Sequence, residues 1–165
     1  MTTPTAAPHW LSDDERAAWL ATAAIMISLP AALDSRLQRE CGLSFFEYMV
    51  LAALSERPDR TMQMSEIAAG VSSSLSRLSH VVTRLEKQGL VCRARVAGSG
   101  RRTNVTLTDD GYAKVVEAAP DHLAAVREYY IDVLEPGDLA ALTRIGAAVA
   151  RRINPDRPFV HGVAD

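Results

Sequence analysis

The chain of 165 residues suits a single domain with an oligomerisation element, and its 48% hydrophobic content with only 5% aromatics calls for a core of Leu, Val, Ala and Ile. No apolar run reaches the ~18 residues of a membrane span, the start MTTPTAAPHW lacks the pattern of a signal peptide, and two cysteines make neither a disulfide framework nor a metal site. A soluble cytoplasmic protein is expected, and its net charge of −2 is unevenly spread: residues 71–104 hold seven Arg and Lys against the single acid Glu86, leaving that segment at +6 and the rest of the chain at −8.

Residues 1–11 read as a flexible N-terminus. Ser12, followed by Asp13, Asp14 and Glu15, is an N-cap with acids where the helix dipole favours them. A helical pattern with Leu20, Ala24, Ile27, Ala31 and Leu33 runs to about Glu40, and Pro30 inside it predicts a kink or a break. Cys41-Gly42 ends the helix. Ser44-Phe45-Phe46-Glu47 is a capping box that opens a second helix through Val50, Leu51 and Leu54, stopped near Glu56 by ERPDR.

Met62-Gln63-Met64 alternates as a short strand would, and Ser65 is placed to cap a short helix from Glu66 to about Gly70. A serine-led helix follows, SSSLSRLSHVVTRLEKQ, with Gly89 as its stop. Two helices joined by a short turn make a helix-turn-helix candidate. After Gly89 the period changes: LVCRARV and RRTNVTLT alternate around GSG, the pattern of a β-hairpin carrying Arg93, Arg95, Arg101 and Arg102. Thr108 caps a long helix to about Leu134 with a bend expected at Pro120, and Pro136 is placed to open a last helix from Gly137 to about Ile153. The tail 154–165 is expected to be loose. The fold class is therefore mainly α with a small β-hairpin wing.

In the serine-led helix Leu78, Val82 and Leu85 form a buried stripe, with Ser76, Arg77, His80, Val81 and Arg84 on other faces. Short hydroxyls at the front of a helix permit close approach to a major groove ~12 Å wide, and Arg77 can reach a guanine edge. The candidate DNA contacts are Ser73, Ser74, Leu75, Ser76, Arg77, His80 and Arg84 on the helix, with Arg95, Arg101, Arg102 and Asn104 on the wing. The serines alone equally suit a loop and a cap; the charge, the preceding helix and the basic hairpin favour DNA. Leu75 is open between core and thymine-methyl contact.

MSEIA, then S-x-SRLSH, RLE-x-x-GLV and GRRTNVTLTDDG, in this order and spacing, resemble the MarR (multiple antibiotic resistance regulator) family of bacterial winged-helix regulators. The segment GLSFFEYMVLAAL is similar to the one that precedes the family's helix-turn-helix, and the resemblance covers roughly residues 12–153. It implies a homodimer with N- and C-terminal helical dimerisation arms, 12–42 and 109–153, around a DNA-binding lobe, 43–108. It implies a transcriptional regulator, a repressor rather than an activator, on a double-stranded pseudo-palindromic operator, nucleoid-associated when bound. The family's wing pattern falls on Ser99, where it has Asp, and on Arg101 and Leu107-Thr108; His80 stands where many members have arginine.

Many members are released by aromatic ligands, and Trp10, Trp19, Phe45, Phe46 and Tyr48 are candidates to line such a pocket, with Trp19, Phe45 and Tyr48 foremost. Aromatics at such spacing also build cores. Two alternatives stand beside this reading: a winged-helix module for protein contacts, and a redox-responsive regulator using Cys41 or Cys92. No catalysis, cofactor or metal is expected, since His9, His80, His122 and His161 are scattered and no phosphate loop or nucleophile motif occurs.

Overall fold

Two serines start the first two helices by the same device. The Ser12 hydroxyl accepts the Glu15 N–H at 3.3 Å while the Glu15 carboxylate accepts the Ser12 N–H at 2.8 Å. The Ser44 and Glu47 pair repeats this at 3.1 and 2.8 Å. Each box satisfies two N–H groups that a helix start leaves without partners. The computed structural model describes residues 9–96 and 102–155. Its elements are α1 (Asp13–Cys41), α2 (Phe45–Ser55), β1 (Thr61–Gln63), α3 (Met64–Gly70), α4 (Leu75–Lys87), β2 (Val91–Arg95), β3 (Thr103–Leu107), α5 (Asp109–Val126) and α6 (Asp138–Ile153).

α1 passes through Pro30 without the expected break and ends at Gly42, which adopts φ +67° and donates its N–H to the Gln38 carbonyl. The carbonyl that Pro30 leaves without a donor belongs to Met26, and both residues are exposed, so solvent can take the place of the lost bond. α5 likewise continues through Pro120. It passes into a π-helical turn, Arg127–Ile131, that ends before the expected Leu134: the Asp132 N–H donates to the Arg127 carbonyl at 2.8 Å, and Arg127 Nη2 donates to Asp132 Oδ1 at 2.6 Å.

Three further boundaries differ from the sequence expectation. The strand is Thr61–Gln63, and α3 begins at Met64 rather than at Glu66, because the Glu66 carboxylate reaches back to the Gln63 N–H at 2.9 Å. The last strand residue thus serves as the helix cap in place of Ser65. In α6 the N-cap is Gly137, at φ +97°, so Pro136 lies outside the helix rather than at its first position.

The three strands form one antiparallel sheet in the order β1-β3-β2. Met62 faces Val105 across one pair, and Arg93 faces Val105 across the other. Leu37, Leu43, Leu51, Leu54, Ile67, Leu78, Leu85 and Val105 are fully enclosed. They come from the C-terminal third of α1, the turn after it, α2 to α4 and the sheet. Leu78, Val82 and Leu85 are buried as expected, but Val81 is buried with them. The inward face of α4 therefore spans 78, 81, 82 and 85, the wider stripe of a helix packed in a globular core rather than a narrow seam.

The outer helices are different. Only Leu33, Leu37 and Cys41 of α1 are buried, and α6 buries none of its residues. Trp19, Leu20, Ile27, Leu139, Val149 and Ile153 are exposed on the single chain. α1 also contains an 18-residue window of mean hydropathy 1.5, enough by length and composition to cross a membrane, of which 6% is buried. The sequence expectation of no apolar run of ~18 residues does not anticipate this property of α1.

Candidate nucleic-acid interface

The turn between α3 and α4 is closed by the Ser73 N–H on the Ala68 carbonyl at 2.8 Å, with Ser72 at φ +49°. Ser74 then caps α4, its hydroxyl accepting the Arg77 N–H at 3.2 Å. No acid stands in the first turn of α4. The positive end of the helix dipole is therefore left unneutralised, which favours an anion there.

Ser73 is half-buried, and its hydroxyl donates to the Ser74 carbonyl at 3.3 Å. Ser74, Leu75, Ser76, Arg77 and His80 are exposed. Leu75, at 55% exposure, belongs to this outer surface and not to the core.

The arginines of α4 are held from behind. The Arg77 guanidinium lies over the Phe46 ring, 4.6 Å from its centroid. Arg84 Nε donates to Glu47 Oε1 at 2.6 Å, joining a side chain 55% exposed to a carboxylate only 4% exposed. Burial pushes the Glu47 carboxyl up, but the Ser44 N–H and hydroxyl and the Arg84 guanidinium outweigh it and hold the group below the usual carboxylate range. Arg84 is thus an ion-pair partner as well as a candidate contact.

On the wing, Arg93 binds Glu86 through Nε at 2.9 Å, Nη2 at 2.6 Å and its backbone N–H at 3.1 Å, fastening β2 to α4. Arg95 and Arg102 are exposed at the turn end of the hairpin, where the Val96 N–H meets the Arg102 carbonyl at 3.0 Å. Arg101, with Ser99, lies outside the described residues. Asn104 sits on the central strand between Gln63 and Ala94, half-buried, with its Oδ1 covered and unpaired, so it is not displayed as Arg95 and Arg102 are.

The candidate ligand residues do not converge as the sequence suggested. A cavity of about 680 Å³ lies between α2, α3 and α5, lined by Tyr48, Met49, Ala52, Met62, Ile67 and Val71, with His122 and the Glu56-Arg57 pair also at its wall. Tyr48 lines it; Trp19 and Phe45 do not. Phe45 instead stacks on His122 at 5.9 Å, and Tyr48 meets the same ring at 4.4 Å. Trp10 and Trp19, before and on α1, are exposed, and Phe46 faces Arg77 because the first turn of α2 points its successive aromatics toward different neighbours. Burial pushes the His122 imidazole below its ordinary value and the Tyr48 hydroxyl above its own, so both are neutral near pH 7.

The cysteines are separate. Cys41 is buried, 3.8 Å from Asp121 Oδ2, and burial followed by that carboxylate pushes its thiol up, away from a reactive thiolate. Cys92 is exposed on β2. Among the described residues no three His, Cys, Asp or Glu side chains cluster as metal ligands would.

Sequence reasoning missed the part of Phe46 and Glu47 behind α4, and of His122 beside the cavity. The S-x-x-E signature marks Glu47 as a cap, but nothing in its spacing shows that the same carboxylate faces Arg84.

A sequence model of the MarR family matches residues 42–102, from the end of α1 through β2 to the start of β3. The chain is 35% identical to Sco3205, a MarR family transcriptional regulator from Streptomyces coelicolor solved in complex with DNA, with a TM-score of 0.85 over 96% of this chain and 97% of that one. AbsC, a MarR family transcriptional regulator from the same organism, is 34% identical with a TM-score of 0.83 over 90% of this chain and 100% of its own. The HTH-type transcriptional regulator PecS of Dickeya dadantii is 29% identical over 128 residues, 77% of this chain and 74% of that protein. With the capped helix-turn-helix, the three-stranded wing sheet and the outer helices all in place, the chain belongs to the MarR family of winged-helix transcriptional regulators.

Proposed function

We propose that the protein is a homodimeric repressor that binds a pseudo-palindromic operator and is released by a small, apolar or aromatic ligand. The observation that carries this is the exposed front of α4: Leu75, Ser76, Arg77 and His80 stand on a helix start with no acid, and Arg95 and Arg102 of the wing are exposed as well. Arg77 is assigned to a guanine edge, Leu75 to a thymine methyl, and Ser73, Ser74, Ser76 and His80 to phosphates and base edges in the major groove. Arg95, Arg101 and Arg102 are assigned to the adjacent minor groove and its backbone. Arg84 contributes through the guanidinium nitrogens not engaged by Glu47.

The exposed apolar faces of α1 and α6 support the dimer. An amphipathic helix with no buried residue gains stability only when a second surface covers it. The hydropathy of α1 has the same explanation: its window matches the inside of an interlocked pair of arms, 12–42 and 109–153, flanking the lobe 43–108. Two-fold symmetry then spaces the half-sites about one helical turn apart. The similarity to a DNA-bound regulator over nearly the whole chain supports DNA as the partner, in the cytoplasm.

Ligand release is supported by the position of the cavity. Tyr48 lines it and follows Phe46 and Glu47 on the turn of α2 that touches Arg77 and Arg84. Gel-shift titration of the protein's own upstream region tests the reading. Wild type is expected to form a salt-sensitive, sequence-preferring complex that Arg77→Ala and Arg102→Ala weaken; equal binding by all three proteins would overturn it.

A further inference from the structure

We propose that Phe46 and Glu47, the second and third residues of α2, are positioning residues for operator reading, Phe46 fixing the Arg77 guanidinium and Glu47 that of Arg84. The inference rests on the DNA-reading role of α4 proposed above and extends it to residues that do not touch DNA.

The geometry is a two-point clamp. Arg77 and Arg84 are seven residues apart, two turns along one face of α4, and they meet consecutive residues of α2. A guanidinium held over an aromatic ring by cation–π attraction loses rotamer freedom, which prepares it for a bidentate contact to guanine O6 and N7. Without the ring, Arg77 would sample many rotamers at an exposed position.

Glu47 acts differently. Its Oε2 is fixed by the Ser44 N–H and hydroxyl, each at 2.8 Å, so the carboxylate cannot follow a moving arginine. Its Oε1 takes Arg84 Nε and leaves Nη1 and Nη2 without partners among the described residues. The cap of α2 is therefore also the anchor for an arginine of the recognition helix.

Simple electrostatics and positioning predict opposite signs for Glu47→Gln. Removing an acid beside the interface raises the local positive charge and tightens binding to any duplex. Loss of positioning lowers the preference for the operator. The measurement is fluorescence anisotropy of the full-length protein with its operator, with single-base-pair variants of the half-site, and with a random duplex, at two salt concentrations. Phe46→Leu is expected to reduce the operator-to-random ratio by about ten-fold and to flatten the penalty at the base pair read by Arg77. Phe46→Tyr, which keeps the ring face, restores both. Phe46→Leu combined with Arg77→Ala is no worse than Arg77→Ala alone. Glu47→Gln binds random duplex at least as tightly as wild type yet loses operator preference.

A ratio unchanged in both variants, or losses from Phe46→Leu and Arg77→Ala that simply add, overturns the positioning role. If a variant melts early, the cycle with Arg77→Ala is read below both melting temperatures, where additivity still decides. Arg77→Ala separates the two levels: an unaffected operator complex defeats the reading of α4 itself, whereas a weakened one with Phe46→Leu at wild-type strength defeats only the clamp.

Discussion

Gly111 in the first turn of α5 lies against the Leu90 carbonyl so closely that a Cβ at 111 would stand 2.0 Å from that oxygen and 2.7 Å from Leu107 Cδ1. The Gly111 N–H is bound by the Thr108 hydroxyl at 3.0 Å, and the same hydroxyl donates to the Gly89 carbonyl at 2.7 Å. The base of the wing, the end of α4 and the start of the outer helix are thus locked at one point. Backbone cannot retreat as a flexible side chain would. Gly111→Ala is predicted to destabilise the fold by about 1–3 kcal/mol or more, seen as a lower denaturation midpoint in urea; an unchanged midpoint would show that the contact relaxes freely.

Glu47 predicts an acid-sensitive stability. Its folded carboxyl is held below the ordinary value, so the folded state binds fewer protons than the unfolded chain in that range. The stabilisation is present above the unfolded carboxylate pKa, about 4.3, and is lost as pH falls from there through the folded value. A melting series in that window should flatten in Glu47→Gln, and parallel curves for the two proteins would contradict the assignment.

His122 gives a second, higher window. Its imidazole is kept below its ordinary value by burial against Phe45 and Tyr48, and its Nδ1 is covered without a partner. Protonation favours the unfolded chain, so stability should fall as pH drops below the unfolded histidine value, about 6.5, toward the lower folded one. His122→Phe keeps the packing and removes the proton. Its melting temperature should vary less than wild type between pH 7 and pH 5; the same slope in both would place the titration elsewhere.

The two thiols should differ in rate. Cys92 is exposed and Cys41 is buried beside Asp121 with its thiol pushed up. A disulfide reagent at pH 8 should modify Cys92 rapidly in the native protein and Cys41 only on unfolding. Prompt reaction at Cys41 in a Cys92→Ser protein would revive the redox alternative.

Much of the fold was legible because its signals are local. Ser12, Ser44 and Thr108 announce helix starts, Gly42 and Gly89 announce stops, and the period-2 runs around GSG announce the wing. At Pro30 the sequence left a kink or a break open, and the break does not occur; α5 likewise runs on past Pro120, where a bend was expected. Tertiary relationships were not legible. Arg84 meets Glu47 across 37 residues of sequence, Val81 is buried by the depth at which α4 packs, and Asn104 is half covered by its central strand. An aromatic's presence on a helix also says little about which neighbour it faces. Tyr48 reaches the cavity while Phe45 and Trp19 do not.

The central claim is that the exposed front of α4 reads DNA. Its most direct measurement is operator affinity against salt for wild type and Arg77→Ala, with every base pair of one half-site varied in turn. The account predicts a steep loss of affinity with salt in both proteins. It also predicts a penalty at one guanine-containing pair that wild type shows, at about 1–3 kcal/mol, and Arg77→Ala lacks. The same base preferences in both proteins, or no dependence on salt, would contradict it.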